Sequence, residues 1–74
     1  MVRLIKDLPG AEPVDRFGAA TGSRATLNAG TEFVITIAKL RHPSDDMAVF
    51  WCEVKVGEQL YRVPLKSLET ALSP

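Results

Sequence analysis

The hydrophobic and polar positions of residues 31–63 follow a pattern that predicts β-strands. TEFVITIAKL, residues 31–40, is rich in β-branched and aromatic residues and lacks Gly and Pro, which favours a strand. The polar segment RHPSDD then interrupts the chain, and MAVFWCEVKV, residues 47–56, predicts a second long strand. Gly57-Glu58 has Gly at the first central position, as a type II′ hairpin turn requires, so QLYRV returns as a third strand.

This turn fixes the register of the predicted hairpin. One face then carries mainly apolar side chains and is predicted to point into the core, whereas the other face includes an oppositely charged cross-strand pair. The core-facing residues are Phe50, Cys52, Val54, Tyr61 and Val63. The predicted pairs are Val56 with Gln59, Lys55 with Leu60, Val54 with Tyr61, Glu53 with Arg62, Cys52 with Val63, and Trp51 with Pro64.

The segments on either side of this pattern are less regular. Residues 7–30 are rich in Gly and Pro and predict a loop, or an arm ordered only by contact, although RATLN at 24–28 suits a short strand. Residues 2–5 suit an edge strand. After Pro64, LKSLETAL has leucines at helical spacing, which fits a short helix or, alternatively, a 3₁₀ turn followed by a last strand.

Short strands, tight turns and little helix together predict an all-β fold. We expect a small closed or nearly closed barrel of about five short strands, with a short helical or 3₁₀ turn near the C-terminus. The N-terminal arm is predicted to span residues 1–23 and the barrel residues 24–74.

The order of these features resembles the SH3-like small β-barrel superfamily over residues 24–72. AGTEFVI is similar to the long strand after the first loop, FWCEV to the aromatic-rich third strand, and VPLKSLE to the closing 3₁₀ turn. The resemblance implies the barrel fold. Only Trp51 and Pro64 match positions of the peptide groove of signalling SH3 domains, so recognition of proline motifs is not implied.

A shorter resemblance points to an alternative function. GEQLYRVPLKSLE, residues 57–69, is similar to the end of the plasmid-encoded type II dihydrofolate reductases, which are tetramers of SH3-like barrels. Gln59-Leu60-Tyr61 falls on the strand that lines their central pore. This resemblance implies a minimal oligomeric enzyme with a shared pore that binds a nicotinamide cofactor or a pterin.

Size and charge narrow the remaining classes. A chain of 74 residues with one Cys forms a single small domain without an internal disulfide, so self-association is the reinforcement left open. Nine basic and nine acidic residues balance, which disfavours a nucleic-acid-binding barrel, although residues 1–24 are slightly basic. The short apolar N-terminus, broken by Arg3 and Lys6, predicts neither a signal peptide nor a membrane span, and the unpaired thiol favours the cytoplasm.

The face of the hairpin opposite the core is the best candidate for binding a partner. Its predicted partner-binding residues combine aliphatic side chains, an aromatic anchor and an arginine, the composition of interaction hot spots. Alternatively, the N-terminal arm, the C-terminal leucines or a second copy of the chain covers this face. The candidate residues are Val49, Trp51, Leu60, Arg62 and Pro64.

No residue pattern indicates catalysis, a metal or a cofactor. Cys52 has no neighbouring base in the sequence and suits a core thiol. His42, Asp45 and Asp46 offer too few ligands for a hard-cation site and suit a solvated turn. GAATGS lacks the lysine of a phosphate-binding loop. The sequence therefore predicts a small, non-enzymatic, self-associating protein-interaction module.

Overall fold

The computed structural model describes residues 1–19, 22–41 and 50–74. Within these ranges the chain forms one antiparallel sheet and a short C-terminal helix, which confirms the predicted all-β class with a C-terminal helical turn. The sheet has six described strands where about five were predicted, in the order β1-β4-β5-β6-β2-β3. The elements are β1 Val2–Arg3, β2 Leu8–Val14, β3 Ala25–Leu27, β4 Glu32–Arg41, β5 Phe50–Val56, β6 Gln59–Pro64 and α1 Leu65–Leu72.

The β5–β6 hairpin has the register that the sequence predicts. All six predicted pairs are present, from Val56 opposite Gln59 to Trp51 opposite Pro64. Gly57 has a φ of 59°, the positive value that the first position of a tight hairpin turn requires. The hairpin is therefore specified locally, by strict alternation on both sides of a two-residue turn.

The prediction of a loop over residues 7–30 is wrong for residues 8–14, which form β2. This strand lies between β3 and β6, and it escaped the sequence pattern because its buried residues do not alternate. The register with β3 shifts between Leu8 and Ala11, and Gly10 within this interval has a φ of 76°. A bulge of this kind places Pro and Gly inside a strand, where they normally indicate a turn.

The other weak predictions have mixed outcomes. RATLN contains β3, and the N-terminal edge strand is present as β1, which pairs with the start of β4. After Pro64 the chain forms the helix α1, so the alternative of a 3₁₀ turn followed by a last strand is wrong.

The core lies between one face of the sheet and the helix. Three of the five predicted core residues, Cys52, Val54 and Val63, are buried, and Phe50 and Tyr61 are partly buried. The N-terminal segment is tied to the helix, because the amides of Ile5 and Lys6 donate to the carbonyl oxygen of Ala71. The buried cluster comprises Leu4, Leu8, Ala11, Leu27, Phe33, Cys52, Val54, Val63, Leu68 and Ala71.

Candidate interaction surfaces

Trp51 lies on the face opposite the core, as predicted, but little of it reaches solvent. It pairs with Pro64 on β6 and Leu40 on β4, and it is only 8% exposed. The guanidinium carbon of Arg24 lies 5.6 Å from the centroid of its ring. The chain itself therefore covers the side chain that the sequence suggested as an anchor for a partner.

Arg62 lies within the sheet, between acidic residues on both neighbouring strands. It pairs with Glu53 of β5 and with Glu12 of β2, and its Nη2 donates to the carbonyl oxygen of Gly18 at 2.7 Å. Its Nε is buried and has no hydrogen-bond partner among the described residues. This guanidinium thus attaches the turn after β2 to the sheet.

The other predicted partner-binding residues are distributed as follows. Leu60 and Pro64 are partly buried on the same face of β6 as Arg62. Val49 lies outside the described residues. Of the predicted patch, the structure therefore brings Trp51, Leu60, Arg62 and Pro64 to one face of the hairpin.

A groove of about 460 Å³ opens on this outer face, at the hairpin end of β5 and β6. Leu60 contributes to its apolar lining, and Gln59 closes one side through bonds from its Nε2 to the carbonyl oxygens of Val14 and Leu60, both 2.9 Å. Tyr61 pairs with Val54 and so lies on the core-facing side of the sheet, whereas Leu60 lies on the outer face. The lining residues are Val14, Asp15, Arg16, Thr36, Lys55, Glu58, Gln59 and Leu60.

The most exposed apolar stretch of the sheet is on β4, which sequence reasoning did not select. Val34, Ile35 and Ile37 are 48%, 40% and 44% exposed. Strand β1 pairs only with Glu32 and Phe33, and beyond Phe33 no described strand pairs with this edge of β4. The sequence does contain a feature that could have indicated this stretch. Val34, Ile35 and Ile37 are all apolar, so apolar and polar residues do not alternate here and both faces of the strand are apolar.

Irregular pairing with β5 determines which way these side chains point. The register shifts between Ile35 and Ile37, and again between Ile37 and Leu40. Thr36 lies in the first shift, and its hydroxyl donates to the Glu53 carboxylate at 2.7 Å. Because of the extra residue, Val34 and Ile37 both lie on the outer face of the sheet.

Another exposed apolar side chain lies on a hydrogen-bonded turn beside the groove. Phe17 is 82% exposed, and the Asp15 carboxylate accepts bonds from the amides of Phe17 and Ala19 at 2.8 and 2.9 Å. The guanidinium carbon of Arg16 lies 5.3 Å from the Phe17 ring centroid. Phe17 is therefore an exposed apolar side chain that does not belong to β4.

Cys52, a free thiol, is buried in the core. Burial, and secondarily the negative charge of Glu53, raises the pKa of the Cys52 thiol, which opposes formation of the nucleophilic thiolate. No group of three or more His, Cys, Asp or Glu residues capable of holding a metal occurs in the described ranges. His42, Asp45 and Asp46 lie outside them.

Comparisons of the chain with protein-family models, curated proteins and solved structures found no match. No helix within the described ranges is both long enough and apolar enough to cross a membrane.

Proposed function

We propose that this chain is a small, cytoplasmic, non-enzymatic interaction module with an SH3-like barrel, and that it self-associates through β4. One observation carries the proposal. The edge of β4 that no described strand covers presents Val34, Ile35 and Ile37, each at least 40% exposed. Edge strands of monomeric proteins are usually short or carry charges that prevent pairing, so a long apolar edge is typical of a strand that adds to another strand.

A second copy of the chain suits this edge as the partner. Glu32, the first residue of β4, is bonded to Arg3 of its own chain at 3.1 Å and lies in the part of β4 that β1 occupies. The residues from Val34 onward are mainly apolar, and apolar side chains of two copies can meet across an antiparallel junction. A chain with zero net charge also has little overall repulsion against its own copy.

We assign docking to β4 instead of the face around Trp51. Arg24 already covers the Trp51 ring, and Arg62 is bonded to the turn after β2. Trp51 is only 8% exposed, so it could contact another protein only after Arg24 moved away from its ring. The β4 side chains require no such rearrangement.

Light scattering behind a sizing column tests the proposal through molar mass. The wild-type chain is expected to have twice its own mass of 8.1 kDa. Ile37→Lys should give a monomer, because it places a charge in the centre of the apolar edge. Phe17→Ala removes an even more exposed apolar side chain outside β4 and should leave the dimer intact.

Circular dichroism of both variants establishes that each one is folded, and Val34→Lys replaces Ile37→Lys if the latter does not fold. A wild-type monomer at the highest soluble concentration would overturn the proposal. Dissociation by Phe17→Ala but not by either lysine variant would assign docking to another surface.

Molar mass, together with a ligand-binding measurement, distinguishes the enzymatic alternative. A tetramer whose tryptophan fluorescence changes saturably with NADPH or dihydrofolate would support a shared pore at Gln59-Leu60-Tyr61. Such a result would overturn the non-enzymatic proposal. Binding to DNA or RNA that weakens steeply with salt would instead identify a nucleic-acid-binding barrel.

A further inference from the structure

Resting on the proposed self-association, we infer that two copies join their β4 strands antiparallel about a twofold axis through Ile37. The free edge sets the limits of this pairing. Strand β1 occupies the edge at Glu32 and Phe33, and no other described strand pairs there, so the free edge runs from Val34 to Arg41 within the described part of the chain. A second strand can therefore pair with β4 only within these residues.

The faces of the sheet restrict the register further. Val34, Ile37 and Leu40 are opposite Lys55, Glu53 and Trp51 of β5, on the outer face. Ile35 is opposite the fully buried Val54 and so lies on the core-facing side. A twofold axis perpendicular to the sheet keeps outer faces together, so each outer residue must be opposite an outer residue of the second copy.

An axis through Ile37 meets this condition. It places Ile37 opposite Ile37 of the second copy and Val34 opposite Leu40, which forms an apolar strip across the junction. Moving the register by one residue would place Val34 opposite Lys39 or Arg41 instead. Apolar side chains that pack against each other across two strands stabilise a sheet, whereas mismatched faces bury no common apolar surface.

An exposed lysine on an edge strand commonly prevents pairing with another chain, but Lys39 is oriented differently. Its ammonium nitrogen lies 4.1 Å from the centroid of the Phe50 ring, in its own chain. This cation–π contact directs the charge toward the neighbouring strand. The edge lysine is therefore compatible with a second strand on the other side.

Cysteine cross-linking tests the register. Directly opposite residues of an antiparallel pair lie about 4.5–5.5 Å apart between Cα atoms, within the range that a disulfide spans. Under mild oxidation Ile37→Cys should form a covalent dimer, whereas Thr36→Cys and Ala38→Cys should not. The wild type, oxidised in parallel, controls for its own thiol, the buried Cys52.

A mixed-chain experiment covers the case in which Ile37→Cys itself weakens association. An equimolar mixture of Val34→Cys and Leu40→Cys chains should cross-link, whereas each variant alone should not. Cross-linking confined to position 36 or 38 would overturn the register. Dimer mass without any of these cross-links would overturn β4 pairing but leave self-association intact, and a wild-type monomer would overturn both.

Discussion

The guanidinium group of Arg24 connects the ring of Trp51 to the carboxylate of Glu12. Its central carbon lies 5.6 Å from the Trp51 ring centroid, and its Nη2 lies 3.6 Å from Glu12 Oε2. Glu12 is only 4% exposed, and a buried carboxylate requires charged or hydrogen-bonding neighbours. Arg24 therefore covers an apolar ring and helps to balance a buried acid at the same time.

Replacing Trp51 with Ala should destabilise the fold. Truncation of a buried aromatic side chain typically costs about 3–5 kcal/mol, a large share of the stability of a small domain. Urea unfolding followed by circular dichroism measures this loss, and Phe17→Ala, with an exposed ring, should change the midpoint little. A Trp51→Ala chain with wild-type stability and no self-association would instead make Trp51 a docking residue.

Removal of the Asp15 carboxylate should loosen the turn that carries Phe17. Asp15→Ala removes the acceptor of two backbone amides, each bond contributing about 0.5–1.5 kcal/mol. Asp15→Asn retains an acceptor oxygen and should recover most of this loss. Equal destabilisation by the two variants in urea unfolding would contradict the proposed role of the carboxylate oxygen.

Gly57→Ala should destabilise the β5–β6 hairpin by about 1–2 kcal/mol, because an L-residue at a positive φ is strained. A Cβ at this position would meet no atom of the described residues within 4 Å, so the cost comes from the backbone conformation. Glu58→Ala, at the next residue of the turn, is the matched control and should have a smaller effect. Thermal unfolding of both variants measures the difference, and equal stabilities would contradict the backbone argument.

The buried thiol should make stability depend on pH in the alkaline range. Burial raises the pKa of Cys52 in the folded chain, so on alkalisation the unfolded chain loses this proton first. Stability is therefore retained below the unfolded thiol's pKa of about 8.5 and falls as the pH rises above it. The stability difference between wild type and Cys52→Ala, measured from pH 7 to 10, isolates this contribution from other titrating groups. A constant difference would contradict it.

The sequence was most informative where structure is determined locally. Alternation on both sides of Gly57 was enough to predict the hairpin register, since a two-residue turn leaves no freedom to shift it. Strand β2 was missed because the bulge at Gly10 disrupts the alternation on which such predictions depend.

The candidate surfaces depend on distant parts of the chain. Whether Trp51 is exposed depends on where Arg24 lies after the chain folds back, and the exposure of Ile37 depends on how far β1 extends along β4. The local pattern of apolar and polar residues predicts neither the position of Arg24 nor the extent of β1. Sequence reasoning therefore identified the correct face for Trp51 and offered cover by the chain itself as the alternative, but it did not identify Arg24 as the covering residue or the β4 edge as exposed.

The position of β2 also has a consequence for the order of assembly during synthesis. Strand β2 is synthesised before β6, one of its two partners, so Glu12 cannot pair with Arg62 until β6 has been synthesised. Strand β1 likewise cannot pair until β4 has been synthesised. On a ribosome both N-terminal strands would emerge long before the strands that complete their hydrogen bonding. The sheet can be completed only after β6 has left the exit tunnel, and pairings so distant in sequence are slow to form.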